Sequence, residues 1–270
     1  MAIITISRGS YSMGKEVAEK VSARLEYECI SREVILEASK YYHIPEIKLS
    51  RAIHDAPSIL NRISGGKQKY IAYILSAFAD RVAKNNIVYH GLAGHLLLTD
   101  VKHVLKVRII AGLDYRISIV AKRDNITRNE ARVLLIRDDQ ERQKWTKRLY
   151  KTDPADSSLY DLVININKLT KDHAVDFICQ AATCKELETT ESSLQKVKDL
   201  ALACRVKATF LEQGFDVSVT SDYGNILVYT KAGDRLMHKL QKIVKGLDGE
   251  IKGINNIKIH SGVTAPHSAV

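Results

Sequence analysis

The chain opens on Met1-Ala-Ile-Ile-Thr-Ile6, β-branched and apolar on consecutive positions, as a strand requires when helices cover both its faces. After a polar loop from Ser7 to Met13, Val17, Val21 and Leu25 recur at helical spacing with Ala18 beside them. The pattern predicts a helix from about Val34 to Tyr41, ending before Pro45. A second, from Tyr70 to Lys84, carries Ile71, Ile74, Leu75, Phe78 and Val82 on one face. Ile87-Val88-Tyr89, Val104 to Ile110 and Leu162 to Ile166 read as further buried strands. Strands alternating with helices of this length imply βαβ units, hence an α/β fold with a parallel sheet flanked by helices.

Around residue 185 the texture changes. Lys-Glu-Leu-Glu-Thr-Thr-Glu-Ser-Ser has no apolar period and reads as a linker. Beyond it come a helix (194–211), a strand (215–220), a turn (221–225), a strand (226–230), a helix (235–244) and a strand (251–260). The expected organisation is a large domain over 1–184, a linker over 185–194, a small α+β domain over 195–262 and a tail over 263–270.

Composition narrows the class. At 45% apolar and 27% charged, the 270 residues match ordinary globular chains, which excludes collagen, coiled-coil and disordered readings. Four cysteines without a CxxC fit a reducing compartment. The N-terminal residues lack the basic and apolar regions of a signal peptide, and no apolar run reaches membrane-spanning length, so a cytoplasmic protein is expected. The net charge of +10 asks for an anionic partner. Between Arg116 and Lys151, eleven basic and five acidic side chains supply +6 of it, a concentration that marks a site candidate.

Gly9-Ser10-Tyr11-Ser12-Met13-Gly14-Lys15 fits GxxxxGK, placed between the first strand and the first helix. A loop so placed wraps a phosphate with its amides, aims a helix N-terminus at it and lets Lys15 reach the outer phosphates. The bland reading is a glycine-containing turn. Where such loops carry Ser or Thr to ligate Mg²⁺, this chain has Glu16. Its carboxylate would either hold the metal, directly or through water, or repel the phosphates.

Taken in order, ITISRGSYSMGKEVAEKVSARL, CISREVILEASKYYHIPE, NNIVYHGLAGHLLL, LKVRIIAGLDYRISIVAKRDNITRNEA, RDDQERQKWTKRLY and SSLYDLVININKLT resemble the cytidylate-kinase-like family of P-loop proteins over most of residues 1–180. The resemblance implies a nucleoside-monophosphate-kinase fold, ATP with Mg²⁺, nucleotide substrates and an arginine-rich lid. It places Arg32 at the acceptor phosphate and matches Arg116 and Arg123 to basic positions ahead of the lid. Within the basic window Arg137, Glu141, Lys144 and Arg148 share one helical face, and Arg142 lies among them. Arg137 and Lys144 are expected at the transferring phosphates with Glu141 orienting them or the acceptor; the competing reading is a solvated, salt-bridged surface. Where cytidylate kinases carry Gly-Arg-Asp after the third strand, this chain has Gly91-Leu92-Ala93. The lone Trp145 would stack on a base or simply pack.

Residues 195–262, closing on Gly253-Ile254-Asn255-Asn256-Ile257, resemble a BON domain. That resemblance implies binding of phospholipid or a small ligand, or association into homo-oligomers. The expected activity is ATP-dependent phosphorylation of a nucleoside monophosphate, with CMP or dCMP the first acceptor. The alternative is a catalytically weak or inactive nucleotide sensor whose C-terminal module supplies the output. Nucleic-acid binding is the weakest reading, because no aromatic-interleaved RNA motif accompanies the basic window.

Overall fold

The computed structural model describes residues 2–31, 33–54, 66–91, 93–231, 233–247 and 251–270. In chain order the elements are β1 (Ile3–Arg8), α1 (Gly14–Leu25), β2 (Glu28–Ile30), α2 (Glu33–Tyr41), α3 (Glu46–His54), α4 (Gly66–Val82), β3 (Ile87–His90), α5 (Gly94–Leu97) and β4 (Val104–Ile110). There follow α6 (Leu113–Asp124), α7 (Arg128–Tyr150), β5 (Leu162–Asn165), α8 (Lys171–Ala182), α9 (Glu191–Glu212), β6 (Ser218–Asp222), β7 (Asn225–Thr230), α10 (Asp234–Leu247) and β8 (Asn256–Ser261). They gather into two units, one of Met1–Glu33 with Lys84–Thr190, the other of Val34–Ala83 with Glu191–Val270.

The first unit is built on five parallel strands in the order β2-β3-β1-β4-β5. β1 is central, with Ile4 paired to Val88 on one side and to Leu105 on the other. Its run of β-branched residues follows from that position: Ile3, Ile4, Thr5 and Ile6 are all buried. α1 contributes Val17, Ala18 and Val21 to a core shared with Val107, Ile164, and Val175 and Ile178 of α8. Lys20–Asp172 (2.5 Å) and Arg24–Asp176 link these two helices at the surface, where solvent screening leaves such pairs little weight. Because every crossover returns to a parallel strand, the carboxyl ends of β1, β3 and β4 meet at one edge, where open α/β sheets bind their ligands.

α7 starts cleanly. Thr127 accepts from the Glu130 amide (3.2 Å) while the Glu130 carboxylate accepts from the Thr127 amide (2.8 Å), a reciprocal cap. Its Ala131 and Leu135 pack on Ile117 and Val120 of α6. This pairing fixes which face of α7 turns inward.

The second unit joins α2, α3 and α4 to the C-terminal elements. Its sheet runs β6-β7-β8, with Val219 antiparallel to Val228 and Val228 parallel to Ile259. Val206 and Phe210 of α9 fill its core with Val219, Val228 and Leu240. Arg205 on α9 pairs with Asp80 on α4 at 2.6 Å, and Tyr42 stacks on Tyr73 at 3.8 Å between centroids. The backbone of Val270 pairs with Val219 of β6 (3.0 and 3.1 Å). The predicted helix-strand-strand-helix-strand order is therefore present, with one difference in its lead-in. α9 begins at Glu191, inside the expected linker: Ser193 of its polar first turn is already buried, and Val197, Ala201 and Cys204 follow it at helical spacing.

Candidate functional site

The loop after β1 is pinned rather than free. The Gly9 amide donates to the Ile109 carbonyl (3.1 Å), and the buried Ser12 hydroxyl donates to the carbonyls of Ile109 (2.9 Å) and Gly9 (3.0 Å). Tyr11 and Met13 take left-handed backbone, at φ 57° and 65°, to turn the chain into α1. Met13 offers no side-chain cap, so the first-turn amides of α1 are left open to an anion. Gly14 is required by its neighbour. A Cβ there would come within 2.8 Å of the Arg8 Cβ, so Arg8 runs past the loop through space only glycine leaves.

On the far side the loop is tied to α7. Asp139 accepts from the Ser10 amide (3.1 Å) and from Arg116 (2.7 Å), and Arg116 also donates to the Ser10 carbonyl (3.2 Å). Arg123 lies 4.3 Å over the Tyr11 ring and pairs with Asp124. Between loop, β4 and α7 opens a cavity of about 380 Å³ lined by Arg8, Arg108, Arg116 and Arg142, with Asp139 and His95. Four guanidiniums face two carboxylates, Asp139 and Asp153, in this lining, a net positive charge suited to an anion.

The walls are fixed from behind. Arg108 donates to the Tyr160 hydroxyl (3.1 Å) and lies over its ring, and Tyr160 donates on to the Pro154 carbonyl (2.9 Å). His95 packs on Tyr160 at 4.7 Å between centroids. Burial, then Arg108 and Lys106, push the His95 pKa down to about 4, so its ring is neutral at pH 7. Burial, then the facing Arg142, lowers the Arg8 pKa, partly offset by Glu16 and Tyr11. His90, at the end of β3, is likewise lowered by burial and then by Arg8.

Of the residues singled out in the sequence, Gly9, Arg116 and Arg142 meet at this cavity. Lys15 is exposed at the start of α1, 3.6 Å from Glu19, and Glu16 is exposed beside it. Arg137 lies 3.9 Å from Asp138, and Lys144 pairs with Glu141 at 3.3 Å, all on the outer surface of α7. The lining positions are 136, 139, 140, 142, 143 and 146. At 3.6 residues per turn, the 137-141-144 stripe lies roughly 150° round the helix from their centre. Arg32 lies outside the described residues. Trp145 is buried, as packing requires.

Arg8, Arg108 and Asp139 were not read from the sequence. A signal existed for two of them: Arg108 interrupts a buried strand, and Arg8 is the last residue of another.

A pinned strand-loop-helix turn under converging arginines, at the carboxyl edge of a 2-3-1-4-5 parallel sheet, defines a P-loop protein of the kinase-like α/β type. More narrowly, residues 3–168 match the cytidylate kinase-like family, and the chain belongs to it. A cytidylate kinase of Sulfolobus acidocaldarius is 26% identical over 190 residues, 70% of this chain and 98% of that one. A cytidylate kinase of Staphylothermus marinus is 34% identical over 101 residues, 37% of this chain and 55% of that one. In fold the chain resembles the crystal structure of an uncharacterized protein from Eubacterium ventriosum (TM-score 0.52, 19% identity, 68% of this chain and all of that one). Among the described residues no helix is long and apolar enough to cross a membrane.

Proposed function

We propose that the protein transfers the γ-phosphoryl group of ATP to a nucleoside monophosphate, with CMP or dCMP as the first acceptor to test. The observation that carries this reading is the convergence of Arg8, Arg108, Arg116 and Arg142 beside the pinned loop. In the transfer, the bond between γ-phosphorus and the β–γ bridging oxygen breaks, and one forms from that phosphorus to an oxygen of the acceptor phosphate. ADP and a nucleoside diphosphate leave. With a second phosphate pKa of about 6, the acceptor oxygen is already ionised at pH 7 and needs no base. What the protein supplies is position and positive charge, because two anionic groups must meet.

The open amides of α1 and Lys15 suit the donor phosphates, and Arg116 and Arg142 suit the lid role. Arg32 is proposed at the acceptor phosphate. Arg137 and Lys144 receive no role from their outward placement. The donor set fits ATP. For Mg²⁺, the ion that kinases of this family use to screen the phosphates, the exposed Glu16 carboxylate is the candidate protein ligand among the described residues, directly or through water. Glu16 stands in place of the hydroxyl ligand, Asp139 is occupied by Ser10 and Arg116, and Asp153 accepts from Lys147 and Gln143 at 2.8 Å. Among the described residues no three His, Cys, Asp or Glu side chains converge as a metal site.

A second reading, a nucleotide sensor with weak or no turnover, is favoured by Leu92 and Ala93, which stand in the sequence where the Arg-Asp pair is expected on the acceptor side. The BON-like C-terminal module would then supply a regulatory or ligand-binding output. ADP formation from ATP and Mg²⁺, measured against a panel of nucleoside monophosphates with Lys15→Ala as control, separates the two. Acceptor-dependent turnover lost in the variant supports the kinase; ATP binding without acceptor-dependent consumption supports the sensor.

A further inference from the structure

A second cavity, of about 520 Å³, lies wholly within the second unit, between α9, the β6–β7 turn and residues 252–255 ahead of β8. That volume is within the range of pockets that take one small molecule. Ala201 and Leu202 line it together with Lys198, Arg205 and Lys252. Arg205 is answered by Asp80 at 2.6 Å, and the lining carboxylate of Asp199 by four donors. Lys198 and Lys252 are exposed and have no carboxylate partner among the described residues. The lining thus holds two unanswered positive charges.

Tyr223 borders the same cavity. It is 61% exposed and takes left-handed backbone at φ 47°, followed by Gly224 at 76°. A two-residue hairpin turn with positive φ at both positions favours Asn-Gly; a bulky aromatic in the first position is strained, and here it gains little from burial. The surroundings hold it there all the same. Asp199 accepts from the amides of Tyr223 and Gly224 (3.0 Å each). Asn255 donates its side-chain amide to the Tyr223 carbonyl and its backbone amide to the Gly224 carbonyl, both at 2.8 Å. A Cβ on Gly224 would come within 2.4 Å of the Gly253 carbonyl oxygen, so the turn sits directly against the 253–255 segment. Strain upheld by this many bonds around an exposed ring points to a use for the ring.

We infer that this cavity binds a nucleotide, with the base stacked on Tyr223 and the phosphate held by Lys198 and Lys252. An exposed aromatic face offers stacking to any base, and two ammoniums without partners suit a phosphate. The site shares no residue with the cavity beside the phosphate loop, and it stands whether that loop serves catalysis or sensing.

AMP, CMP and ATP in EDTA, with inorganic pyrophosphate as the probe lacking a base, are titrated calorimetrically into the full chain. The variants are Tyr223→Asn, Tyr223→Phe, Lys198→Glu, Lys252→Glu and Lys15→Ala. Wild type is expected to show two classes of nucleotide site. Tyr223→Asn should weaken one class about tenfold or more, Tyr223→Phe less than about twofold, and each lysine reversal about fivefold or more. Lys15→Ala should weaken only the other class. Pyrophosphate should bind the Tyr223 class more weakly than nucleotides do and be indifferent to Tyr223→Asn. That variant should also raise the urea midpoint, because Asn suits the turn.

A lowered midpoint together with lost binding would make the ring structural, and the assignment fails. Nucleotide binding that responds to Lys15→Ala but to none of the Tyr223 and lysine variants overturns the site and leaves the loop reading intact. A single class that responds to Tyr223 and not to Lys15 upholds the site and counts against the kinase. Binding of a single-stranded hexaribonucleotide in place of every free nucleotide would make the occupant a nucleic acid and equally overturn the assignment.

Discussion

The Asp139 carboxylate accepts from the Ser10 amide at 3.1 Å with one oxygen and from Arg116 at 2.7 Å with the other. One side chain of a long helix thereby sets both the second residue of the phosphate loop and a wall of the cavity. Arg116 is only 12% exposed, so its charge has few alternative partners. Asp139→Ala should cost about 2 kcal/mol, the usual penalty for leaving a poorly hydrated donor unmatched, and Asp139→Asn less. Urea unfolding of the two variants measures it; equal, negligible shifts would show that the contact carries no stability.

Neighbouring basic residues of α7 should differ sharply. Arg137→Ala and Lys144→Ala remove charge from the outer surface and are expected to change ATP affinity less than about twofold. Arg142→Ala, from the inner surface, is expected to cost about tenfold. Titration with ATP decides it, and the reverse ranking would mean that α7 is rotated when nucleotide binds.

His95 predicts a pH dependence with a definite sign. Its folded pKa of about 4 lies below the ordinary 6.5, so the folded state resists the proton that the unfolded chain accepts. The stability is fully present above pH 6.5 and declines as pH falls toward 4, by about 2 kcal/mol between pH 7 and pH 5. His90 and His103, both lowered by burial, act in the same direction. Denaturant curves of wild type and His95→Asn at pH 7 and 5 isolate the His95 share. A slope that the variant retains in full would remove His95 as its cause.

In the second unit the test lies at Asp199. This buried carboxylate accepts from Ser221 (2.6 Å), Gln195 (3.0 Å) and the amides of Tyr223 and Gly224 (3.0 Å each), holding the β6–β7 turn on α9. Burial would raise its pKa, but the four donors outweigh it and leave the group lowered. Asp199→Ala strands two backbone amides and should destabilise the unit by about 3 kcal/mol, while Asp199→Asn keeps part of the network. Protease susceptibility of the 191–270 segment reports the loss selectively.

The large elements were legible because their signals are local. β1 could be read from a run of consecutive β-branched residues, and the loop from two glycines and a lysine at fixed spacing. The inward surface of α7 was not legible: a basic stripe at 137, 141 and 144 is visible in sequence, but which stripe turns inward depends on how Ala131 and Leu135 seat against α6. Arg8 was hidden for a similar reason. Its direction is decided by the missing Cβ of Gly14, six positions on, and not by anything adjacent to it. Asp199 gave no sign in the sequence, because its four donors come from both its own helix and a hairpin more than twenty residues away.

The ion pair between Asp80 and Arg205 spans 125 positions of chain, and it joins helices of one unit. At ordinary ribosomal speeds of about 5 to 20 residues per second, α4 waits roughly 6 to 25 s for its partner helix to be synthesised. Tyr73 and Phe78, buried in the finished molecule, are uncovered for that interval. The first unit has a gap about half as long to bridge, and its β1 can pair with β3 and β4 well before the chain is complete. Synthesis therefore favours a nascent chain whose loop-bearing sheet matures first, and whose α2–α4 segment is the stretch most exposed to chaperones and to misassociation.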